Sequence, residues 1–304
     1  MNGILNLYKP QGITSHTAVS KIRRLYGVKR VGHAGTLDPM ASGVLPVLIG
    51  NAASVQDLIM GHDKSYRAGV LFGTVTDTGD ITGKVISRCE PDFSASELDD
   101  VLKKFVGEQK QVPPMYSAIK QNGVKLYDLA RNGIEVERKA RDITIYSITT
   151  EKPYADSRCV IDVSCSKGTY IRSLAEDIGK ALGCGACLFS LERTRCGVYT
   201  SERSYTLEAL EEMSARGDTE ALEAALDSPE ELFSGLAKVV LPDFYKRLAL
   251  NGAEIYLKKA KIPEALFEKE KSCRLYGADG VFFAVACLGE YPEGKAVKIK
   301  YRFL

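Results

Sequence analysis

The chain has 304 residues, 45% of them hydrophobic and 26% charged, which is the composition of a folded globular protein rather than of a disordered one. Its formal net charge is only +2, so total charge does not indicate a nucleic-acid partner. Because no apolar run approaches the roughly 18 residues of a membrane span and the first residues do not follow a signal-peptide pattern, we expect a cytoplasmic protein with no membrane partner.

Positive charge is concentrated near the start of the chain. The segment TSHTAVSKIRRLYG (14–27) predicts a helix that Thr14 or Ser15 caps and Gly27 ends, with one apolar stripe and one basic face. The first fifty residues carry six basic side chains against one acid, a net of +5; the basic residues are Lys9, Lys21, Arg23, Arg24, Lys29 and Arg30. We expect the helix and the residues after it to contact RNA phosphates.

The single acid of that region, Asp38, lies in GHAGTLDPMASGVLP (32–46). Pro39 disfavours a helical conformation at Asp38, and the glycines permit a tight loop close to a ligand. An Asp-Pro pair is by itself more often a turn than a catalytic site. Here, however, the nearby cations favour an ionised carboxylate, which can act as a nucleophile or as a base.

His33, in the same loop, can serve as a general acid or base, a metal ligand or a contact to RNA. Metal binding is the weakest of these, because His16 and His62 do not have ligand spacing. The eight cysteines are predicted to be reduced, and Cys184 and Cys187 are interpreted as buried core residues rather than a redox or zinc pair. No metal and no cofactor are therefore predicted.

Strand patterns follow one another through the middle of the chain. VLPVLIG (44–50), KSYRAGVLFGT (64–74), ARDITIYSITTEK (140–152) and SRCVIDVSCS (157–166) predict strands, and TDTGDITG (76–83) predicts a turn. KGTYIRSLAEDIGKALG (167–183) predicts a helix with Thr169 as its cap, Gly183 as its end and Arg172 near its start. The succession of strands predicts an α+β fold with a mixed, mainly antiparallel sheet and flanking helices.

The last hundred residues change character twice. Residues 206–233 contain nine acids and one arginine, and we expect this acidic helical stretch to face away from a polyanion. From about residue 243, short strands predict a small β-rich domain, which divides the chain into 1–242 and 243–304. Its terminal strand has basic residues on one face, either to bind RNA or to protect a sheet edge: Lys295, Lys298, Lys300 and Arg302.

Seven segments in order resemble the TruB family of tRNA pseudouridine synthases, which isomerise uridine 55 in the T-loop of tRNA. They are LYKPQGITSH (7–16), GHAGTLDPMASGVLP (32–46), KSYRAGVLFGTVTDTGD (64–80), QVPPMYSAIKQNGVKLYDLAR (111–131), GIEVERKAR (133–141), CSKGTYIRSLAEDIGKALGCGA (165–186) and LERTRCG (191–197). The resemblance covers roughly residues 1–240 and implies the pseudouridine synthase fold, while the tail resembles a PUA domain only weakly.

The resemblance also implies roles for individual residues. Asp38 matches the family's catalytic aspartate, Arg172 the arginine that pairs with it, and Tyr66 the tyrosine that stacks on the uracil. Residues expected to bind substrate are His33, beside the flipped nucleotide, Lys9 of the KPxG motif, and Tyr170 and Leu191, which line the pocket. The implied partner is the T-arm of tRNA; no cofactor and no protein partner are implied, and we expect a monomer.

Two other functions compete with this interpretation. A non-catalytic RNA-binding protein or tRNA-folding chaperone would account for the basic regions but gives no reason for the loop that carries Asp38. A carboxylate hydrolase such as a glycosidase would normally need two paired acids, and the sequence places one acid at the loop.

Overall fold

The computed structural model describes residues 1–117, 119–121 and 123–304. Ala118 and Asn122, two positions of the segment QVPPMYSAIKQNGVKLYDLAR, lie outside the described residues. The helices are α1 (Ser15–Leu25), α2 (Gln56–Met60), α3 (Ala95–Lys104), α4 (Leu126–Arg131), α5 (Ile171–Ala181), α6 (Leu207–Ala215), α7 (Thr219–Ala224), α8 (Asp243–Leu250) and α9 (Leu257–Ala260). Short 3-10 helices lie at Gly50–Val55, Ser201–Arg203, Pro229–Phe233 and Glu264–Phe267.

The strands, in chain order, form two larger sheets and two short hairpins. They are β1 (Gly3–Lys9), β2 (Val31–His33), β3 (Ala41–Ile49), β4 (Lys64–Phe72), β5 (Thr74–Thr76), β6 (Val85–Arg88), β7 (Gly107–Gln111), β8 (Lys120–Gln121), β9 (Val124–Lys125), β10 (Arg141–Ala155), β11 (Arg158–Cys165), β12 (Ala186–Cys196), β13 (Tyr199–Thr200), β14 (Tyr205–Thr206), β15 (Leu226–Asp227), β16 (Ala237–Val240), β17 (Ile255–Tyr256), β18 (Ser272–Tyr276), β19 (Phe282–Tyr291) and β20 (Gly294–Arg302).

The main sheet has the strand order β14-β1-β3-β12-β4-β11-β10-β7, with β2, β13 and β15 paired at its sides. The pairs β1–β14 and β3–β12 are parallel, and the other described pairs of this sheet are antiparallel. The predicted mixed, mainly antiparallel sheet is therefore confirmed. Its two central strands are β12 and β4.

The periodicity of the sequence correctly located the elements that frame the site. In β11, alternate residues from Cys159 to Cys165 are buried, as the alternating pattern predicts. In α1, Thr14 caps the helix by accepting a hydrogen bond from the Thr17 amide at 3.0 Å, and Gly27 adopts φ +61° just after its end. The limits of α1 can be predicted from these local signals, because the hydrogen bonds at its ends join residues only a few positions apart.

The predicted cap of α5 is wrong. The Thr169 hydroxyl donates to the Ser166 carbonyl at 3.0 Å, inside the turn that leaves β11. Tyr170 is the N-cap residue, and within the described part of the chain no side-chain hydrogen bond of its own caps the helix. The predicted helix end is correct, since Gly183 has φ +77° just beyond it.

The second sheet has the order β16-β18-β19-β20-β17 and forms a β-rich C-terminal region. Its first strand, β16, precedes residue 243, so the domain limits 1–242 and 243–304 stay a prediction. The basic strand β20 lies between β19 and β17. Lys298 pairs with Glu254 at 2.7 Å, and Lys295 pairs with Glu264. The strand therefore offers less free positive charge than its sequence indicates.

A buried cluster joins the two sheets. It contains Ile4 and Leu48 from the main sheet together with Phe233, Val285 and Phe303. The Asn2 side-chain amide donates to the Phe303 carbonyl at 2.9 Å, beside the same cluster. The C-terminal strands are thus part of a core shared with the first strand of the chain.

Within the described ranges, no helix combines the length and the apolar character needed to cross a membrane.

Candidate active site

Asp38 and Arg172 meet at the centre of the site. Asp38 lies in the loop between β2 and β3, and Arg172 is the second residue of α5. Arg172 Nε lies 2.9 Å from Asp38 Oδ2. Nη1 and Nη2 donate to the Thr78 and Tyr116 carbonyls, each at 2.7 Å. The buried guanidinium is therefore fixed by three partners and aims at one carboxylate oxygen.

The pKa of the Asp38 carboxyl is raised above its ordinary value. Burial is the main cause, and the Asp80 carboxylate adds to it, whereas the Arg172 guanidinium and the Lys9 amine oppose it. Nearby cations favour the ionised carboxylate, as the sequence predicts, but burial outweighs them. The side chain of Asp38 is still 36% exposed, which leaves the carboxylate accessible to a substrate.

Asp80 organises the turn that presents the Thr78 carbonyl to Arg172. Its buried Oδ1 accepts from the Thr82 amide at 2.9 Å and from the Thr78 hydroxyl at 3.1 Å. The turn itself was predicted from TDTGDITG, but its contact with Arg172 was not. The turn is predictable because the segment is rich in Asp, Thr and Gly. Its contact with Arg172, which lies 94 positions away in the sequence, has no local signal.

Tyr66 lies on β4, one of the two central strands of the main sheet. Its side chain is 8% exposed, and burial raises the pKa of the phenol to about 12, with the Arg193 guanidinium opposing. Tyr66 is therefore a neutral phenol near pH 7. Leu191, on β12, is also buried and pairs with Ala68 of β4, two residues along the strand from Tyr66.

Arg193 is a functional candidate that the sequence interpretation missed. It is almost fully buried; Nε donates to the Val44 carbonyl at 2.7 Å and Nη2 to the Gly35 carbonyl at 3.1 Å. It pairs with Tyr66 in the β12–β4 register. Arg193 therefore ties the loop before Asp38 to the two central strands. The available sequence signal for Arg193 was its position in LERTRCG (191–197), one of the segments that carry the family resemblance.

Tyr170 stands immediately before α5, two residues from Arg172. Burial raises the pKa of its phenol; the Ser117 hydroxyl and nearby arginines oppose this effect, and the Asp38 carboxylate adds to it. Tyr170 therefore lies within electrostatic reach of the Asp38 carboxylate.

His33 ends β2, five residues before Asp38, and is half-buried. Burial lowers the pKa of its imidazole, and the Arg193 guanidinium lowers it further. His33 is thus an uncharged ring at neutral pH, which suits stacking or hydrogen bonding better than phosphate neutralisation.

Lys9 is completely buried beneath the site. Its Nζ donates to the Pro10 carbonyl at 2.8 Å and to the Ile13 carbonyl at 2.9 Å. Burial lowers the pKa of the amine to about 8, and the Asp38 carboxylate opposes this. Lys9 is therefore placed to support the KPQG loop (9–12). Its side chain has no exposed surface through which it could contact a substrate, as its assignment as a binding residue requires.

The basic residues near α1 differ in their environments. Arg24, Lys29 and Arg30 are exposed, whereas Arg23 is half-buried. Lys21 pairs with Glu211 of α6 at 3.1 Å. Part of the acidic stretch therefore lies beside the basic helix, because α6 packs against α1. The expectation that this stretch faces away from a polyanion stays a prediction.

The predicted burial of the cysteine pair is confirmed: Cys184 and Cys187 are both buried free thiols. Burial raises the pKa of Cys187 to about 11 and also raises that of Cys184, so both are protonated at neutral pH. Within residues 1–117, 119–121 and 123–304, no group of three or more His, Cys, Asp or Glu residues is placed to hold a metal ion.

Two family models match the chain in succession. The model described as TruB family pseudouridylate synthase (N terminal domain) matches residues 23–171, and the model described as tRNA pseudouridylate synthase B C-terminal domain matches residues 172–242.

Similar proteins agree with these matches. The tRNA pseudouridine synthase B of Clostridium perfringens (strain 13 / Type A) is 45% identical over 288 residues, 94% of each chain. That of Clostridium acetobutylicum is 39% identical over 305 residues, covering 98% of this chain and 99% of the other. Among solved structures, a Cbf5-Nop10-Gar1 complex contains a chain that is 26% identical with a TM-score of 0.69; the match covers 99% of this chain and 85% of that one.

Proposed function

The chain belongs to the TruB family of pseudouridine synthases, and we propose on this basis that it isomerises uridine 55 in the T-loop of tRNA to pseudouridine, with Asp38 as the catalytic carboxylate. The observation that carries the proposal is the contact at 2.9 Å between Asp38 and the buried Arg172. A non-catalytic RNA-binding protein would have no need for a buried cation aimed at one accessible carboxylate.

The reaction suits a site with one acid. The N1–C1′ glycosidic bond breaks, the detached uracil turns while it remains bound, and C5 bonds to C1′. C5 then loses its proton and N1 gains one, so the product is an isomer of the substrate. Atoms and electrons balance without an oxidant, a reductant or a cofactor. An ionised Asp38 can begin this sequence by attacking C1′, by attacking C6, or by removing a sugar proton to give a glycal.

We assign Tyr66 the tasks of stacking on the uracil and holding it during the turn. Because its phenol is neutral near pH 7, it is poorly suited to remove the C5 proton as a phenolate. The proton would instead pass through the phenol to another acceptor, for which Asp38 is the charged candidate. Tyr170 and Leu191 would complete the pocket around the base.

The target uridine lies inside a folded T-loop and must leave its stack to reach Asp38, at a cost of a few kcal/mol. His33 is placed five residues before Asp38 on the adjoining strand. We propose that its uncharged ring enters the RNA beside the flipped nucleotide and offsets part of the lost stacking.

We propose that the exposed residues of the basic segment hold RNA phosphates. Replacing Arg24, Lys29 and Arg30 together with glutamine should weaken tRNA binding and reduce the slope of log affinity against log salt by about three, roughly one for each phosphate that is no longer neutralised. Binding titrations at several salt concentrations measure both effects. As a matched control, glutamine at the exposed Lys103, Lys104 and Lys180 should leave the slope unchanged. An unaltered slope in the first variant would contradict this assignment.

The remaining assignments follow from the same function. We propose a catalytic domain at 1–242, a PUA-like RNA-binding domain at 243–304, and a monomer that acts on tRNA in the cytoplasm. Lys9 would act indirectly: it would support the KPQG loop and would not contact the RNA.

Release of tritium tests the function directly, because the hydrogen on uracil C5 is lost when the base is rejoined. The purified chain, with no added metal or cofactor, should release one equivalent of tritium from an unmodified tRNA transcript carrying [5-³H]uridine. A transcript with cytidine at position 55 should release none. Tight tRNA binding without tritium release would favour the RNA-chaperone alternative.

A further inference from the structure

The start of α5 is held by a residue from the far edge of the main sheet. Gln111, the last residue of β7, is buried with 4% of its surface exposed. Its Oε1 accepts from the Tyr170 amide at 2.8 Å, and its Nε2 donates to the Tyr170 carbonyl at 3.0 Å. One side-chain amide thus satisfies both main-chain groups of the N-cap residue.

Gln111 holds the main chain at the helix start, where the sequence predicted a side-chain cap from Thr169. The first amides of a helix have no partner within the helix and need one from elsewhere. The Tyr170 carbonyl also accepts the first hydrogen bond of the helix, from Leu174 at 3.1 Å. Gln111 therefore fixes the orientation of the peptide from which the helix departs.

The residues after Gln111 contact the same helical turn. The Ser173 hydroxyl donates to the Val112 carbonyl at 3.3 Å, and Arg172 Nη2 donates to the Tyr116 carbonyl at 2.7 Å. The segment 111–116 and the start of α5 are therefore bound at three residues, Tyr170, Arg172 and Ser173. Arg172 is the same side chain that holds Asp38.

We propose that Gln111 is a positioning residue for uridine isomerisation, which acts by fixing the peptide of Tyr170 and, through it, the side chains of Tyr170 and Arg172 around Asp38. This inference rests on the proposed function. Only a side chain with both a donor and an acceptor at this reach can hold the two main-chain groups together. Without it, the start of α5 can rotate, and a misplacement of about 1 Å in such a site can cost roughly a hundredfold in rate.

Gln111→Met tests the inference, because methionine keeps the length of the side chain and removes both hydrogen bonds. The matched control is Gln109→Met, two residues earlier on the same strand, where the side chain donates to the Phe105 carbonyl at 2.7 Å. Both variants are compared with the wild-type chain in single-turnover tritium release and in tRNA binding. We expect Gln111→Met to lose about tenfold to a hundredfold in rate with little change in tRNA affinity, and Gln109→Met to match the wild type.

The pH profile of the single-turnover rate separates positioning from a general loss of folded protein. If Arg172 moves away, the charge that opposes the burial of Asp38 weakens, so the acidic limb of the profile should move to higher pH in Gln111→Met. A smaller folded fraction would lower the rate at every pH without moving the limb. If Gln111→Met does not fold, Gln111→Asn is used in its place. Asparagine keeps the amide on a side chain one methylene shorter, so we expect a smaller loss of rate and an acidic limb that also moves to higher pH.

Three results would overturn the inference: a rate for Gln111→Met equal to that of Gln109→Met, a defect confined to tRNA affinity, or a reduced rate with an unmoved pH profile. The wild-type chain and Gln109→Met report on the proposed function in the same assay. Failure of that function is thus seen separately from failure of the Gln111 inference.

Discussion

Replacing Asp38 with asparagine should abolish pseudouridine formation while tRNA binding is retained. The amide has nearly the same size as the carboxylate and can still receive the hydrogen bond from Arg172 Nε, so the loop should keep its place. It cannot attack carbon or remove a proton as a carboxylate does. We expect the single-turnover rate to fall by at least about a thousandfold, in line with the removal of a catalytic base or nucleophile.

The measurement pairs tritium release with a tRNA binding titration on the same preparation. Asp57→Asn makes the same chemical change at an exposed acid of α2 and should leave both quantities unchanged. Turnover by Asp38→Asn at the wild-type rate would remove Asp38 from the chemistry. Loss of binding together with turnover would indicate that the variant damages the site and not only the reaction.

Replacing Arg172 with methionine should have the second largest effect. Its guanidinium joins Asp38 to the Thr78 and Tyr116 carbonyls, so its loss frees the carboxylate and leaves two half-buried acceptors without their donor. We expect the single-turnover rate at neutral pH to fall by about a hundredfold or more. Arg172→Lys should be intermediate, because an ammonium group can neutralise Asp38 but lacks the planar fork that also reaches both carbonyls.

The pH dependence of this variant has a definite sign. Burial raises the pKa of Asp38, and Arg172 opposes that rise. Removing Arg172 should raise the pKa further, so the rate should begin to fall at a higher pH as the solution is acidified. The profile of single-turnover rate against pH measures this, with Arg88→Met on the exposed strand β6 as the control. An acidic limb at the wild-type position would mean that Arg172 does not set the charge of Asp38.

Local sequence signals predicted the framework of the site. Three patterns depend only on residues a few positions apart: the alternation in β11, the apolar stripe of α1 and the glycines around Asp38. The structure has β11 and α1 where these patterns predict them. The pairing of Asp38 with Arg172 came from the resemblance to a known family, because spacing along the chain does not bring these two residues together.

What the sequence could not predict depends on contacts between distant segments. Thr169 has the right residue type and position for a cap, yet the partner of the Tyr170 amide is Gln111. Arg193 looks like an ordinary strand residue until β12 is placed beside β4. The raised pKa of Asp38 likewise reflects burial by the assembled sheet, whereas the sequence displays only the neighbouring cations.

The contact between Asn2 and Phe303 has a consequence for synthesis of the protein on the ribosome. These residues are separated by 301 positions, and the cluster beside them includes both Ile4 and Phe303. Strand β1 can therefore pair within the main sheet during synthesis, but the core beneath it stays incomplete until Phe303 has emerged from the ribosomal tunnel. Contacts of such long range are slow to form. Newly made chains should thus depend on chaperones for longer than they would if β1 packed only against other strands of the main sheet.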